Sequence, residues 1–218
     1  MVLALFDLVD NPQSRERRIE GIVLGVVTNN QDEENLGRVK VRFPCIGDSE
    51  ESYWARVATL MAGKERGAYF LPEVGDEVVV AFDHGDMSHP YVLGALWNGR
   101  DKPPGSNSDG KNNIRVIRSR SGHEMTFDDD DRQGKVLIRT KSGHSILLDD
   151  ASGAEKIEIK DKTGKNSVLI DSVSNSMTIA SDLKLSIKAR EIEIESGGTM
   201  SIKATGNLTI QGALVKIN

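Results

Sequence analysis

The 218-residue chain has little of what fills a thick globular interior: aromatic residues make up 5% and hydrophobic residues 38% of it. One cysteine, Cys45, excludes an intrachain disulfide framework. No apolar run approaches the roughly 18–20 residues of a transmembrane helix. The opening Met1–Phe6 is apolar, yet it lacks a basic flank and meets Asp7 and Asp10 at once. That is a poor secretory leader, so synthesis in the cytoplasm without a signal peptide is expected. Excess positive charge is also missing. The net charge is −5, no Lys/Arg stripe is interleaved with aromatics, and Asp128–Asp131 would repel a phosphate backbone. These absences argue against nucleic acid as a partner.

What is present is repetition. Ser121-Gly122-His123 recurs as Ser142-Gly143-His144 and, degraded, as Thr163-Gly164-Lys165, 21 residues apart each time. The period then shortens. Leu185/Ile187, Ile192/Ile194, Met200/Ile202, Leu208/Ile210 and Val215/Ile217 are apolar pairs that start 7, 8, 8 and 7 residues apart. Alternation is clean in Lys156–Lys160 and Glu191–Glu195, giving each strand one apolar and one charged face. A single-chain β-helix needs roughly 20 or more residues per coil. The 21-residue units meet that requirement and the 7–8-residue units do not. Three chains can each supply one wall of a narrow prism and cover one another's open edges. The expectation is a homotrimer with those ten pair residues at its axis. At about 4.8 Å per rung, the five short rungs would add on the order of 20–25 Å.

Punctuation divides the rest. Residues 99–113 hold Pro103, Pro104 and several glycines with almost no apolar side chain, and read as a linker. Before it, residues 19–98 read as about five short strands separated by turn signals, which suits a small OB-like barrel. Residues 114–218 form the repeat. Residues 1–18 stand apart as an N-terminal arm, where Leu5, Phe6, Leu8 and Val9 with Leu3 make an apolar face suited to docking on another protein. The fold class expected is all-β: an OB-fold barrel followed by an intertwined trimeric β-helix needle.

The barrel carries specific strings in order: Leu36-Gly37-Arg38-Val39-Lys40-Val41-Arg42-Phe43-Pro44, Tyr53-Trp54-Ala55-Arg56-Val57, Leu71-Pro72-Glu73-Val74-Gly75-Asp76-Glu77-Val78, and Pro90-Tyr91-Val92-Leu93-Gly94-Ala95-Leu96-Trp97-Asn98. This set resembles the OB module of contractile-tail spikes, a family that includes phage baseplate assembly protein V, phage central spikes, and the valine-glycine repeat (VgrG) spikes of type VI secretion. The resemblance implies a structural, non-enzymatic spike that pierces a cell envelope and contacts the target membrane transiently. It implies location in a virion tail baseplate or another contractile particle. It also implies a separate hub protein, contacted here by Leu5, Phe6, Leu8 and Val9. Gly37, Gly75 and Gly94 would serve turns or close backbone approach, Pro72 would begin the turn into a strand, and Trp54 and Trp97 would fill the barrel. Some family spikes end in a His-x-His metal tip. This chain has no histidine after His144, so no metal or cofactor is expected and a separate PAAR-like tip protein is.

Sharper chemical readings are weak by spacing. His123 and His144 occupy equivalent repeat positions, but Lys165 breaks the series a metal site would need. His84, Asp86 and His89 read as a solvated turn. Asp128–Asp131 lacks the spacing of a calcium loop. A polysaccharide-cleaving β-helix would need paired carboxylates in a walled cleft, whereas carboxylates here are spread over every rung.

Overall fold

In the computed structural model the described residues are 18–47 and 51–217, and the chain divides between Ser108 and Asp109 into two compact units. The docking residues Leu5, Phe6, Leu8 and Val9 lie outside the described residues. Among the described residues every regular element is a strand.

The first unit is built on β1 (Ile22–Asn29), β2 (Arg38–Arg42), β3 (Ala55–Val57), β6 (Glu77–Asp83) and β7 (Asp86–Ala95). They close a barrel in the order β1-β2-β3-β7-β6, with β3 and β7 parallel and the other pairs antiparallel. Period-two alternation decides which residues turn inward. Val27, Val39, Val41, Ala55, Val78, Val80 and Val92 are buried, with Phe43 and Phe82 edge to face at 5.4 Å. Small β-branched side chains suit so narrow a cross-section.

Two expectations fail here. Trp54 and Trp97 do not fill the barrel. Trp54 is on the outer surface, where Arg38 and Lys40 lie 5.8 and 5.5 Å from its ring, and Trp97 is 69% exposed. The inward position next to Trp54 belongs to Ala55, because the barrel has no room for an indole. Gly94 has open space where a side chain would stand, whereas Gly75 takes a φ of 98° in the turn that returns to β1. The close backbone approach occurs at Gly25 instead. A methyl there would overlap Val41 and crowd the Arg42 carbonyl.

A short hairpin, β4 (Ala62–Gly63) and β5 (Arg66–Gly67), forms its own two-stranded sheet between β3 and β6.

The second unit holds seven five-residue strands: β8 (Ile114–Arg118), β9 (Glu124–Asp128), β10 (Lys135–Arg139), β11 (Ser145–Asp149), β12 (Lys156–Lys160), β13 (Ser167–Asp171) and β14 (Ser176–Ala180). Each pairs antiparallel with the next in one continuous meander. The 21-residue unit is therefore a hairpin and not a coil: Gly122, Gly143 and Gly164 sit at alternate turns with φ between 71° and 103°. Beyond Ala180 no strand is formed among the described residues, and Leu183 to Ile217 run without an intrachain ladder.

Gly25→Ala should overpack the barrel, at a cost of about 1–3 kcal/mol. Both tryptophans lie in the first unit, so fluorescence-monitored guanidinium unfolding should show an earlier midpoint for that unit.

Candidate functional site

In an antiparallel meander, residues opposite each other share a face. Following the register across the second unit produces two neighbouring apolar rows. One runs Phe127, Val136, Leu148, Ile157, Ile170, Met177, and the other runs Ile117, Met125, Ile138, Ile146, Ile159, Val168, Ile179. Arg115, at the head of the first row, is the single exception, and its guanidinium pairs with Asp129. Among the described residues no second layer covers this face: Ile159 is 47% exposed and Met177 63%.

The opposite face is mixed: a central row of Val116, Thr126, Leu137, Leu147, Glu158, Leu169 and Thr178, with the four aliphatic residues half-buried, runs between charged rows. Its outer row alternates Asp128, Lys135, Asp149, Lys156 and Asp171 across successive strands, and a second row begins with the Arg118–Glu124 ion pair. Such exposed pairs add little stability individually. What penalises a slipped register is the period-two alternation, since a one-residue slip would turn the apolar rows to the other face.

The sequence-predicted axis residues continue the same pattern. In Met125/Phe127, Val136/Ile138, Ile146/Leu148, Ile157/Ile159, Val168/Ile170 and Met177/Ile179 the apolar pair recurs every 9–11 residues; from Leu185/Ile187 it recurs every 7–8. What shortens is the turn, not the strand pattern. Leu185 joins Ile138, Ile146, Ile159, Val168 and Ile179 around a shared apolar concavity of about 570 Å³. Leu185, Ile187, Ile192, Ile194, Met200, Ile202, Leu208, Ile210, Val215 and Ile217 are all exposed, from 48% to 88%. The rows within the sheet were missed as site residues, although their i, i+2 spacing was readable in the sequence.

Turn to turn, side chains tie the sheet together along one edge. His123 Nδ1 accepts from the Lys141 amide at 3.4 Å, and His144 Nδ1 accepts from the Lys162 amide at 3.2 Å. These are structural acceptors rather than candidate ligands. Among the described residues no group of three His, Cys, Asp or Glu is placed to hold a metal ion. His89 and Asp86 meet at 3.0 Å on an exposed hairpin, and Ser88 and His89 together hold the Asp86 carboxyl down at about 2. At the third turn, the Asn166 side-chain amide donates to Asp161 at 3.0 Å, and Thr163 donates to it as well. With Asn166 as the main cause, the Asp161 carboxyl is also held at about 2.

The barrel identifies the setting of this face. Residues 23–97 match the family model of the type VI secretion system/phage-baseplate injector OB domain. Among curated relatives, the type VI secretion system spike protein VgrG3 of Vibrio cholerae is 31% identical over 133 residues, 55% of this chain and 13% of that protein. Spike protein VgrG5 of Pseudomonas aeruginosa is 37% identical over 95 residues, 40% of this chain and 12% of its own length. The actin cross-linking toxin VgrG1 of V. cholerae is 29% identical over 131 residues, 12% of its length. The chain thus spans only a small part of the relatives it matches.

A depressed carboxyl stabilises the fold above its unfolded value, about 3.9, and the contribution is lost as pH falls through the folded value. Hydrogen exchange at the Lys165–Asn166 amides, corrected for intrinsic rate, should therefore quicken as pH drops from about 4 toward 2. Asp161→Asn should remove that step.

Residues 23–97 thus carry the injector OB domain of type VI secretion and phage baseplates, and the chain that holds it resembles the VgrG spike proteins.

Proposed function

We propose that the protein is the central spike of a contractile injection machine, assembled as a homotrimer and driven through a target envelope by sheath contraction. The observation that carries this reading is the unpartnered apolar ladder from Ile117 to Ile217. Along it Ile159 is 47%, Met177 63%, Ile194 73% and Ile217 88% exposed. So much apolar surface in water has one remedy. Copies must cover one another, and rungs of 7–8 residues are too short for one chain to enclose a core.

In this reading the force comes from other proteins, and the spike contributes stiffness through continuous backbone ladders and axial burial. The role is structural, with no catalytic step. The actin cross-linking named for the V. cholerae relative belongs to that protein, of which the matched stretch is 12%. The N-terminal arm, through Leu5, Phe6, Leu8 and Val9, would contact the baseplate hub. A PAAR-like protein would cap the needle after Ile217, and contact with the target membrane would be transient. Residence in an assembled particle follows. The names of the relatives favour a type VI secretion or similar injection system, where the spike would carry an effector; the family model equally covers phage tails.

Ile194→Asp places three charges in one apolar axial layer. It should abolish the assembly, as should Ile159→Asp on the sheet's apolar face. Glu158→Gln, on the opposite face one residue away, should leave an assembly that resists SDS at room temperature. Size-exclusion chromatography with light scattering reads all three. Intact oligomers in both aspartate variants would refute the proposal.

A further inference from the structure

The sheet's last inter-turn tie differs from the earlier ones. His123 and His144 each accept the backbone amide of a turn two strands further on. In the third repeat Asn166 does this work: its Oδ1 accepts from the Asp182 amide at 3.4 Å. Two further contacts reinforce it. The Ser181 hydroxyl lies 2.9 Å from Asn166 Oδ1 and 3.0 Å from the Lys184 carbonyl, and Lys165 Nζ pairs with Asp182 at 2.7 Å. Asp161, held ionised by Asn166 itself, fixes the amide's orientation from the other side. Asn166 immediately precedes β13 and Ser181 immediately follows β14, whose last ladder pair is Ser167 with Ala180. Immediately beyond this knot, intrachain pairing stops.

The needle that follows has no means of its own to choose a register. Its rungs are nearly interchangeable pairs, so sliding one chain by one rung puts Ile192/Ile194 where Leu185/Ile187 belong and leaves only the terminal rung unpaired. Weakly distinguished strands slip. Within the sheet, short turns and the alternation of apolar and polar residues fix the register, so height information exists there and must be handed on.

We propose that the Lys165/Asn166–Ser181/Asp182 knot is a registration clamp: it fixes the residue at which each chain leaves its own sheet, and so the height at which three chains enter the needle together. The clamp deepens the trimeric reading and rests on it.

Cross-linking in the full chain tests it. In a parent carrying Cys45→Ala and Ile210→Cys, the new thiols of a registered trimer meet at one axial layer, and oxidation should join two chains of every three. A one-rung stagger moves a thiol by about 4.8 Å. That takes it out of the separation a disulfide tolerates. Adding Asn166→Ala with Asp182→Ala should leave the trimer mass unchanged and lower cross-linking several-fold. Adding Lys188→Ala, which touches nothing in the knot, should change neither. Undiminished cross-linking in the clamp variant, an equal loss with Lys188→Ala, or loss of the trimer in the clamp variant alone would overturn the clamp while leaving the trimer reading standing. A monomeric parent would overturn both.

Discussion

Everything distinctive in this protein follows from a strand face left uncovered among the described residues. A five-residue strand presents two or three side chains to each side, and apolar ones left in water lose about 25 cal/mol for each Å² that burial would have removed. From Ile117 onward the chain repeats that situation rung after rung, with no second layer to lie against among the described residues. The barrel solves the same problem internally by closing on itself around Val39, Val41, Val78 and Val80. In the reading proposed above, the repeat solves it by association. That contrast explains why one chain contains a unit with a conventional core and another with none.

The change of period divides the repeat into two regimes of backbone pairing. Turns of about five residues let each strand double back, so the chain satisfies its own amides and carbonyls from Ile114 to Ala180. Once the rung shortens to 7–8 residues, the chain runs on with its apolar pairs still in phase but without a ladder of its own. Unpaired backbone groups cannot be buried without partners. The segment that presents the most exposed apolar surface is therefore also the one whose hydrogen bonds must come from elsewhere. In the proposed trimer, apolar burial and backbone pairing would be completed by the same act of assembly.

Much of this was legible in the residues. Alternation in Val39–Phe43 and Glu77–Phe82 revealed barrel strands and their inward side, and the strings around Leu71–Val78 pointed to the injector OB family that residues 23–97 match. The ten residues proposed for the needle axis were chosen by spacing alone, and the structure leaves all of them exposed in the single chain. Other features were not legible because they depend on long-range geometry. A 21-residue period is compatible with a β-helical coil or with a hairpin, and only the pairing of Met125 with Ile138 and of Ile146 with Ile159 distinguishes them. Tryptophan looked like barrel filling because it is large and apolar; the narrow interior admits Ala55 at that point and leaves Trp54 outside against Arg38 and Lys40. The role of Asn166 was invisible because its partners, Ser181 and Asp182, are brought to it by the return of β14 alongside β13.

The central claim is that residues 117–217 have no stable covered state except in a threefold assembly. Sedimentation equilibrium of the unmodified full chain, across a hundredfold range of concentration, tests it most directly. The account predicts a single species of three chain masses that persists at the lowest concentration. A stable, well-folded monomer, or a dimer with both the sheet and the needle protected from hydrogen exchange, would contradict it.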